Sequence, residues 1–158
     1  MSKISKKPPI SRGDYRNECI KLMAGLRPNL FVTLAFNRRI SMNEAQIVLE
    51  KFHAFMDRKI VGRAFLRRPE KRSTYIAMIK KPDANIHIHA LFKMTPMQRL
   101  RFCLTADAVW KKLFPGGNVD LLHVYCAQGA ADYITKELQP QTSDRLLLAR
   151  NAGATLSR

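Results

Sequence analysis

Asn85-Ile86-His87-Ile88-His89-Ala90-Leu91-Phe92 sets two imidazoles, one residue apart, inside an apolar run. Successive side chains of a strand point to opposite faces. His87 and His89 therefore project together, while Ile86, Ile88 and Ala90 project the other way. Thr74-Tyr75-Ile76-Ala77-Met78-Ile79 is a second apolar run, and Pro82-Asp83-Ala84 between the two is a tight turn. The pair predicts an antiparallel hairpin. Two imidazoles on one face of a rigid strand can give two nitrogen ligands to one divalent cation. The same strand can also carry two solvent-facing histidines and no metal.

Other elements follow from pattern and punctuation. Tyr15 to Gly25 predicts a short helix, broken at Arg27-Pro28-Asn29. Leu30 to Phe36 is an almost continuous apolar strand of central type. Ser41, with Glu44 three residues on, predicts a capping box for a helix running to about Lys59. Its apolar face would be Ala45, Val48, Leu49, Phe52, Phe55 and Met56, with His53 at the boundary. Val61 to Leu66 reads as a strand. Thr95 and Pro96 open a helix to about Leu113, whose inward face would include Leu100, Cys103, Leu104, Ala108 and Leu113, with Trp110 as a core anchor. Val119 to Tyr125 reads as a strand and Gln141 to Leu148 as a short final helix.

The order β-α-β-β-β-α-β-α predicts an α+β single domain, with a mainly antiparallel central sheet and helices packed on one face. The other face would be open. RNA-recognition modules have a related order, so the fold alone does not fix a function. Residues 1–14 read as a basic flexible arm, 15–140 as the domain and 141–158 as a tail. No internal repeat or low-complexity segment is visible.

The chain has 158 residues, 28 Lys+Arg against 12 Asp+Glu, and a formal net charge of +16. A field of that size attracts polyanions, and nucleic acid is the first candidate. A membrane surface is disfavoured, because the basic residues are spread over all elements and build no long amphipathic helix. The charge run Arg67-Arg68-Pro69-Glu70-Lys71-Arg72 is either a solvated loop or a grip on a phosphate backbone. Cys19, Cys103 and Cys126 show no metal spacing, and Cys103 and Cys126 read as buried thiols. With no signal-peptide pattern and no apolar run of transmembrane length, the expected place is the cytoplasm of a bacterium or of a virus-infected cell.

Ala131-Asp132-Tyr133-Ile134-Thr135-Lys136-Glu137-Leu138 reads as a helix, which puts Tyr133, Lys136 and Glu137 on one face. A tyrosine hydroxyl is a weak nucleophile at neutral pH, and a nearby ammonium stabilises its phenolate or the phosphate it attacks. A core tyrosine beside solvated Lys and Glu would have the same spacing.

Together these segments resemble the HUH endonucleases, in particular the single-tyrosine rolling-circle replication initiators of plasmids and phages. His87-Ile88-His89 is similar to their metal motif, and Tyr133-Ile134-Thr135-Lys136 to their Tyr-x-x-Lys motif. Leu30-Phe31-Val32-Thr33-Leu34-Ala35-Phe36 is similar to the first motif, a strand lining the DNA site. The likeness runs from about residue 30 to about residue 138 in the family's order. It implies sequence-specific nicking and joining of single-stranded or hairpin DNA at a replication origin. Tyr133 would be the nucleophile that becomes linked to the 5′ phosphate, and Lys136 its helper. His87 and His89 would hold Mg2+ or Mn2+. Thr33, Asn37 and Arg38 would position DNA, with Arg67, Arg68, Lys71 and Arg72 gripping its backbone. A host replication helicase or polymerase is a candidate partner, since the chain has no GxxxxGK[ST] of its own.

In one respect the chain departs from the family. Related initiators often carry a Glu, as third ligand, on the strand before the histidines, and Lys80 stands there. Glu137 is the leading substitute, because a polar residue four after the tyrosine is a ligand in related transposases. His123 is second and Asp83 third. A cation at position 80 opposes metal binding. That favours an alternative, a non-catalytic DNA- or RNA-binding protein on the same fold; the RNA version is weakened by the lack of an aromatic-rich RNA-recognition signature. A transposase of the HUH branch is the other alternative, although Lys three residues after the tyrosine is the replication pattern.

Overall fold

The structure, a computed structural model, describes residues 8–149. Residues 1–7 of the expected arm and 150–158 of the expected tail lie outside the described residues. Five strands form one sheet: β1 (Leu30–Ala35), β2 (Thr74–Lys80), β3 (His87–Lys93), β4 (Asn118–His123) and β5 (Leu146–Leu148). Their order is β4-β1-β3-β2-β5, and every neighbouring pair is antiparallel. The helices are α1 (Arg12–Gly25), α2 (Met42–Ile60), α3 (Pro96–Leu113) and α4 (Ala127–Ile134). The expected α+β class, the single antiparallel sheet and the β2–β3 hairpin are all present.

Helices cover both faces of this sheet, not one. On the first face, Val32 and Leu34, Ala77 and Ile79, and Ile88, Ala90 and Phe92 meet α2 and α3. Aromatic edges lock this layer: Phe52 lies 5.9 Å from Phe102 and 5.6 Å from Trp110, centroid to centroid, and Phe36 lies 5.2 Å from Trp110. On the second face, Ile76, Met78 and Leu91 are buried under Cys19, Met23 and Leu26 of the α1 segment and Ala131, Ile134 and Leu138 of the α4 segment. The cause is legible in the strands. β2 is buried at every position, so neither of its faces can meet water, whereas β1 and β4 alternate. On β4, Asn118, Asp120 and Leu122 stay exposed. The second face is therefore closed over β2 and β3 and open over β1 and β4.

Local signals set most element ends. Ser41 Oγ accepts from Glu44 N at 3.0 Å, while the Glu44 carboxylate faces Arg38 at 3.7 Å and does not close the expected box. Thr95 and Gln98 do close one, at 3.2 and 3.0 Å, with Pro96 in the first turn. Helix α1 starts at Arg12, three residues before the expected start, because Ser11 Oγ caps Asp14 N at 3.1 Å.

Several expectations are corrected. Residues 61–66 are not a strand: Gly62, at φ 109°, ends α2, and two 3-10 turns, Phe65–Arg67 and Pro69–Lys71, follow. The final helix over 141–148 is instead a 3-10 turn, Pro140–Arg145, that delivers β5 to the edge of β2. Helix α3 turns Phe102, Ala106, Val109 and Trp110 inward, and leaves Leu100, Cys103, Leu104 and Ala108 exposed. It carries two apolar stripes of helical spacing, and the stripe with the aromatics fills the layer against Phe52 and Phe92. Phe55 is also exposed, in a groove that it lines with Leu104, Ala108 and Leu113 of α3. Cys103 and Cys126 are exposed, and Cys19 is the buried thiol.

His53 is buried, not at a boundary. Its Nε2–H donates to the Ser73 carbonyl at 2.9 Å, and Ser73 Oγ–H donates to Asp57 Oδ1 at 2.6 Å. Arg72 Nε closes the network on Asp57 Oδ2 at 2.7 Å. Asp57 is 0% exposed, so its charge needs these partners. The network ties the chain entering β2 to α2. No helix among the described residues is long and apolar enough to cross a membrane.

Trp110 is fully buried and its Nε1–H donates to the Ala35 carbonyl at 3.3 Å. Gly117 lies against both groups: a Cβ there would stand 2.6 Å from Ala35 O and 2.7 Å from Trp110 Nε1. Gly117→Ala should therefore destabilise the protein by about 1–3 kcal/mol, the usual cost of overpacking. Urea denaturation followed by tryptophan fluorescence would check this; unchanged stability would mean that the backbone turn moves aside freely.

Candidate functional site

The second face brings the motif residues together. In the sheet register His89 lies opposite Thr33 on β1 and Met78 on β2, and His87 lies opposite Ala35 and Lys80. Directly opposed residues share a face, so Thr33, Lys80 and both histidines do so. The imidazole centroids are 4.8 Å apart. Helix α4 lays Tyr133 over them, its ring 5.8 Å from His89 with planes 9° apart, and 6.1 Å from Phe31. Tyr133 is nevertheless 52% exposed. Its ring is packed against His89 and Phe31 while the residue remains accessible.

The helix carrying Tyr133 ends earlier than expected, at Ile134. Thr135 Oγ1–H turns back to the Ala131 carbonyl at 2.8 Å. Lys136 and Glu137 therefore sit in the turn beyond the helix and not on its face. Even so, Lys136 Nζ lies 5.3 Å from the Tyr133 ring centroid. Arg16 of α1 fixes this end. Its guanidinium donates to the carbonyls of Thr135 and Asp132 at 3.2 and 3.1 Å, and to the Asp132 carboxylate at 2.6 Å. Arg12 adds a bond to the Lys136 carbonyl at 3.2 Å. Cations on the last carbonyls of a helix are favourable. Both arginines support the tyrosine segment, and sequence reading missed them because they lie more than a hundred residues away.

The imidazoles are set up differently. His87 Nδ1–H donates to the Asn85 carbonyl at 3.3 Å, which leaves Nε2 with its lone pair. His89 Nδ1 is buried and has no hydrogen-bond partner. Burial, and then the charges of His87 and Lys80, pull His89 down to about 4. It is neutral at pH 7, the form that can bind a cation. The pair thus fits a divalent cation with two donors.

A third donor is not gathered. Among the described residues no group of three or more His, Cys, Asp and Glu side chains is arranged to hold a metal. Lys80, opposite His87, is buried, and burial lowers its pKa; the Glu137 carboxylate raises it, and Arg145 and Lys136 lower it further. Glu137 is accordingly close enough to act on the Lys80 ammonium. His123 is on the other parity of β4 from Asp120, against Arg99 and Tyr125, and so faces away from the pair. Asp83 is exposed in the hairpin turn.

The expected DNA contacts separate. Thr33 lines the open stripe beside His89. Asn37 adopts φ 55°, and its amide donates to the Gly116 carbonyl at 3.0 Å and to Asn118 at 2.8 Å, so it fastens the end of β1 to β4. Arg38 stacks over Phe114 at 4.5 Å. Arg67, Arg68 and Lys71 are exposed at the Thr74 end of β2, roughly 20 Å of strand from Lys80. Arg72 is turned inward on Asp57, its side chain 14% exposed.

Searches against protein-family models, curated proteins and solved structures give no match to this chain.

The His89 environment has a pH consequence. Unfolded, His89 protonates near 6.5; folded, near 4. Between those values the unfolded state binds the extra proton, so stability should fall as pH drops through this window and level off below it. Burial lowers His53 as well, in the same sense. The expected outcome is an acid-side loss of stability that His89→Gln reduces, with the His89 ring resonance titrating near 4 in metal-free buffer. A ring titrating above 6 would contradict the buried placement.

Proposed function

We propose that this protein nicks and rejoins single-stranded DNA through Tyr133, with initiation of rolling-circle replication as the biological setting. The observation that carries the reading is the placement of an accessible tyrosine on the imidazole pair, with an ammonium 5.3 Å from its ring. The motif likeness to the HUH initiators and the net charge of +16 support it.

Tyr133 Oη would attack the phosphorus of one phosphodiester, and the bond from phosphorus to the 3′ oxygen would break. The phenol proton goes to solvent, and the departing 3′ oxygen takes one up. One phosphodiester replaces another, so the 3′ hydroxyl can reverse the step and no energy source is needed. Lys136 would stabilise the phenolate or the phosphoryl charge. The Arg16 clamp and the Phe31–His89 packing hold the nucleophile near one geometry, which lowers the entropic cost of attack. A divalent cation on His87 and His89 would polarise the phosphoryl oxygen. Substrate would enter along the open stripe over β1 and β4, past Thr33, Asp120 and Leu122.

A second reading, a non-catalytic nucleic-acid binder, is favoured by Lys80 beside His87. Incubation with a pool of labelled single-stranded oligonucleotides and Mn2+ decides between the two. A covalent adduct is expected from the parent protein and none from Tyr133→Phe, whose fold and affinity should be nearly unchanged. An adduct from Tyr133→Phe would move the nucleophile elsewhere, with Tyr125, 92% exposed, the first alternative.

The basic loop gives a separate outcome. Combined Arg67→Ala, Arg68→Ala and Lys71→Ala should lower affinity for all sequences and reduce the slope of log affinity against log salt by about 2. Arg72→Ala should instead cost about 3–5 kcal/mol of stability, by leaving Asp57 buried without its cation. Salt titrations and thermal melts of the two proteins would separate these effects; an unchanged slope in the triple variant would show that the loop does not touch DNA.

A further inference from the structure

Two polar side chains in one corner of the sheet are nine-tenths buried and lack a partner. Lys80 and His89 are each 8% exposed. Among the described residues His89 Nδ1 is buried without a hydrogen-bond partner, and Lys80 Nζ, which keeps solvent contact, makes no hydrogen bond or ion pair. They lie on the same face of adjacent strands, with His87 directly opposite Lys80 and next on the strand to His89. Buried polar groups are normally satisfied, because leaving one bare costs about 1–3 kcal/mol and more for a charge. One bare buried nitrogen, near an ammonium that no protein group pairs, points to a ligand that takes a bond from each.

The chemistry of that ligand is constrained. In its Nδ1–H tautomer the neutral imidazole donates from that nitrogen, and Lys80 can only donate. In that tautomer both call for an acceptor. A water would satisfy the imidazole but would not offset the positive charge around it. The local charges are Lys80, Lys136 and Arg145 against the one carboxylate of Glu137, a net positive surround. An oxyanion meets every condition. The same Nδ1–H tautomer leaves His89 Nε2 free for other use.

We infer that Lys80 and His89 form a phosphate-oxygen site beside Tyr133, in which the Lys80 ammonium stands at the position of a third metal ligand and phosphate binds without a divalent cation. The inference rests on reading this corner as the place where a phosphodiester is handled, and names which side chains hold it. It also accounts for the cation at position 80: an ammonium that weakens a metal site strengthens an anion site.

The test is a titration of the whole protein with inorganic phosphate in EDTA, at constant ionic strength and neutral pH, followed by the histidine ring nitrogen and proton resonances. Saturable movement of the His89 signals is expected. Lys80→Met should raise the phosphate midpoint roughly ten-fold or more, the worth of a charge-assisted hydrogen bond. Lys80→Arg should stay close to the parent, and Lys111→Met, which removes an equal charge from α3, should change nothing at His89. The inference is overturned if the parent's His89 signals do not move, which needs no variant to fold. It is equally overturned if Lys80→Met binds as well as the parent, or if Lys111→Met weakens binding as much. An adduct at Tyr133 with no phosphate response overturns this inference alone; a phosphate response with no adduct supports it and sinks the nicking reading.

Discussion

The register of β3 between β1 and β2 is the constraint on which the rest depends. Because side chains alternate with a period of two, a slip of one residue would turn His87 and His89 into the aromatic layer and expose Ile88 and Ala90 at the site. The penalty for that slip is large on both sides. Phe92 would leave Phe102 and Tyr75, and two imidazoles would be buried among Phe52, Trp110 and Ile79. The core that stabilises the sheet is thus also the device that aims the histidines.

A second consequence is the shape of the candidate site. Ile76, Met78 and Leu91 put apolar side chains on the second face of β2 and β3, and α1 with α4 covers them. The second-face residues of β1 stay half-buried and those of β4 exposed. The boundary between covered and open sheet falls at His89 and Phe31, where Tyr133 rests. A tyrosine at such a boundary has one side packed and the other accessible, the condition for a positioned nucleophile. Holding it there falls to α1, whose Arg16 and Arg12 grip the carbonyls at the end of the tyrosine helix.

Charge is handled in two contrasting ways. At the Asp57 corner a fully buried carboxylate is matched by Arg72, Ser73 and a neutral His53, and the result is a closed structural network. Around Lys80 no such closure occurs: a buried imidazole nitrogen is left without a bond near an ammonium that no protein group pairs. The first arrangement stabilises the fold and the second leaves it poised for a ligand. Both lie against β2, at its opposite ends, one facing each side of the sheet.

The hairpin, the Leu30 strand, the Thr95 cap and the alternation that pairs His87 with His89 were legible in the sequence, because each is local: a period, a turn residue or a cap within a few positions. The nearness of Tyr133 to the histidines was expected only through resemblance, and the sheet register with the packing of α4 brings it about. Other features had no local signal. Which stripe of α3 faces inward was decided by the fit of Phe102 and Trp110 to Phe52, since Leu100 and Leu104 have equal claim by spacing. β5 became a strand because the edge of β2 offered unpaired backbone, and Arg72 became structural because Asp57, fifteen residues earlier, is buried beside it. The orphaned His89 Nδ1 near Lys80 belongs to the same class: a residue type and a position can be read from sequence, but whether a polar group is solvated, paired or bare depends on what the folded chain brings against it.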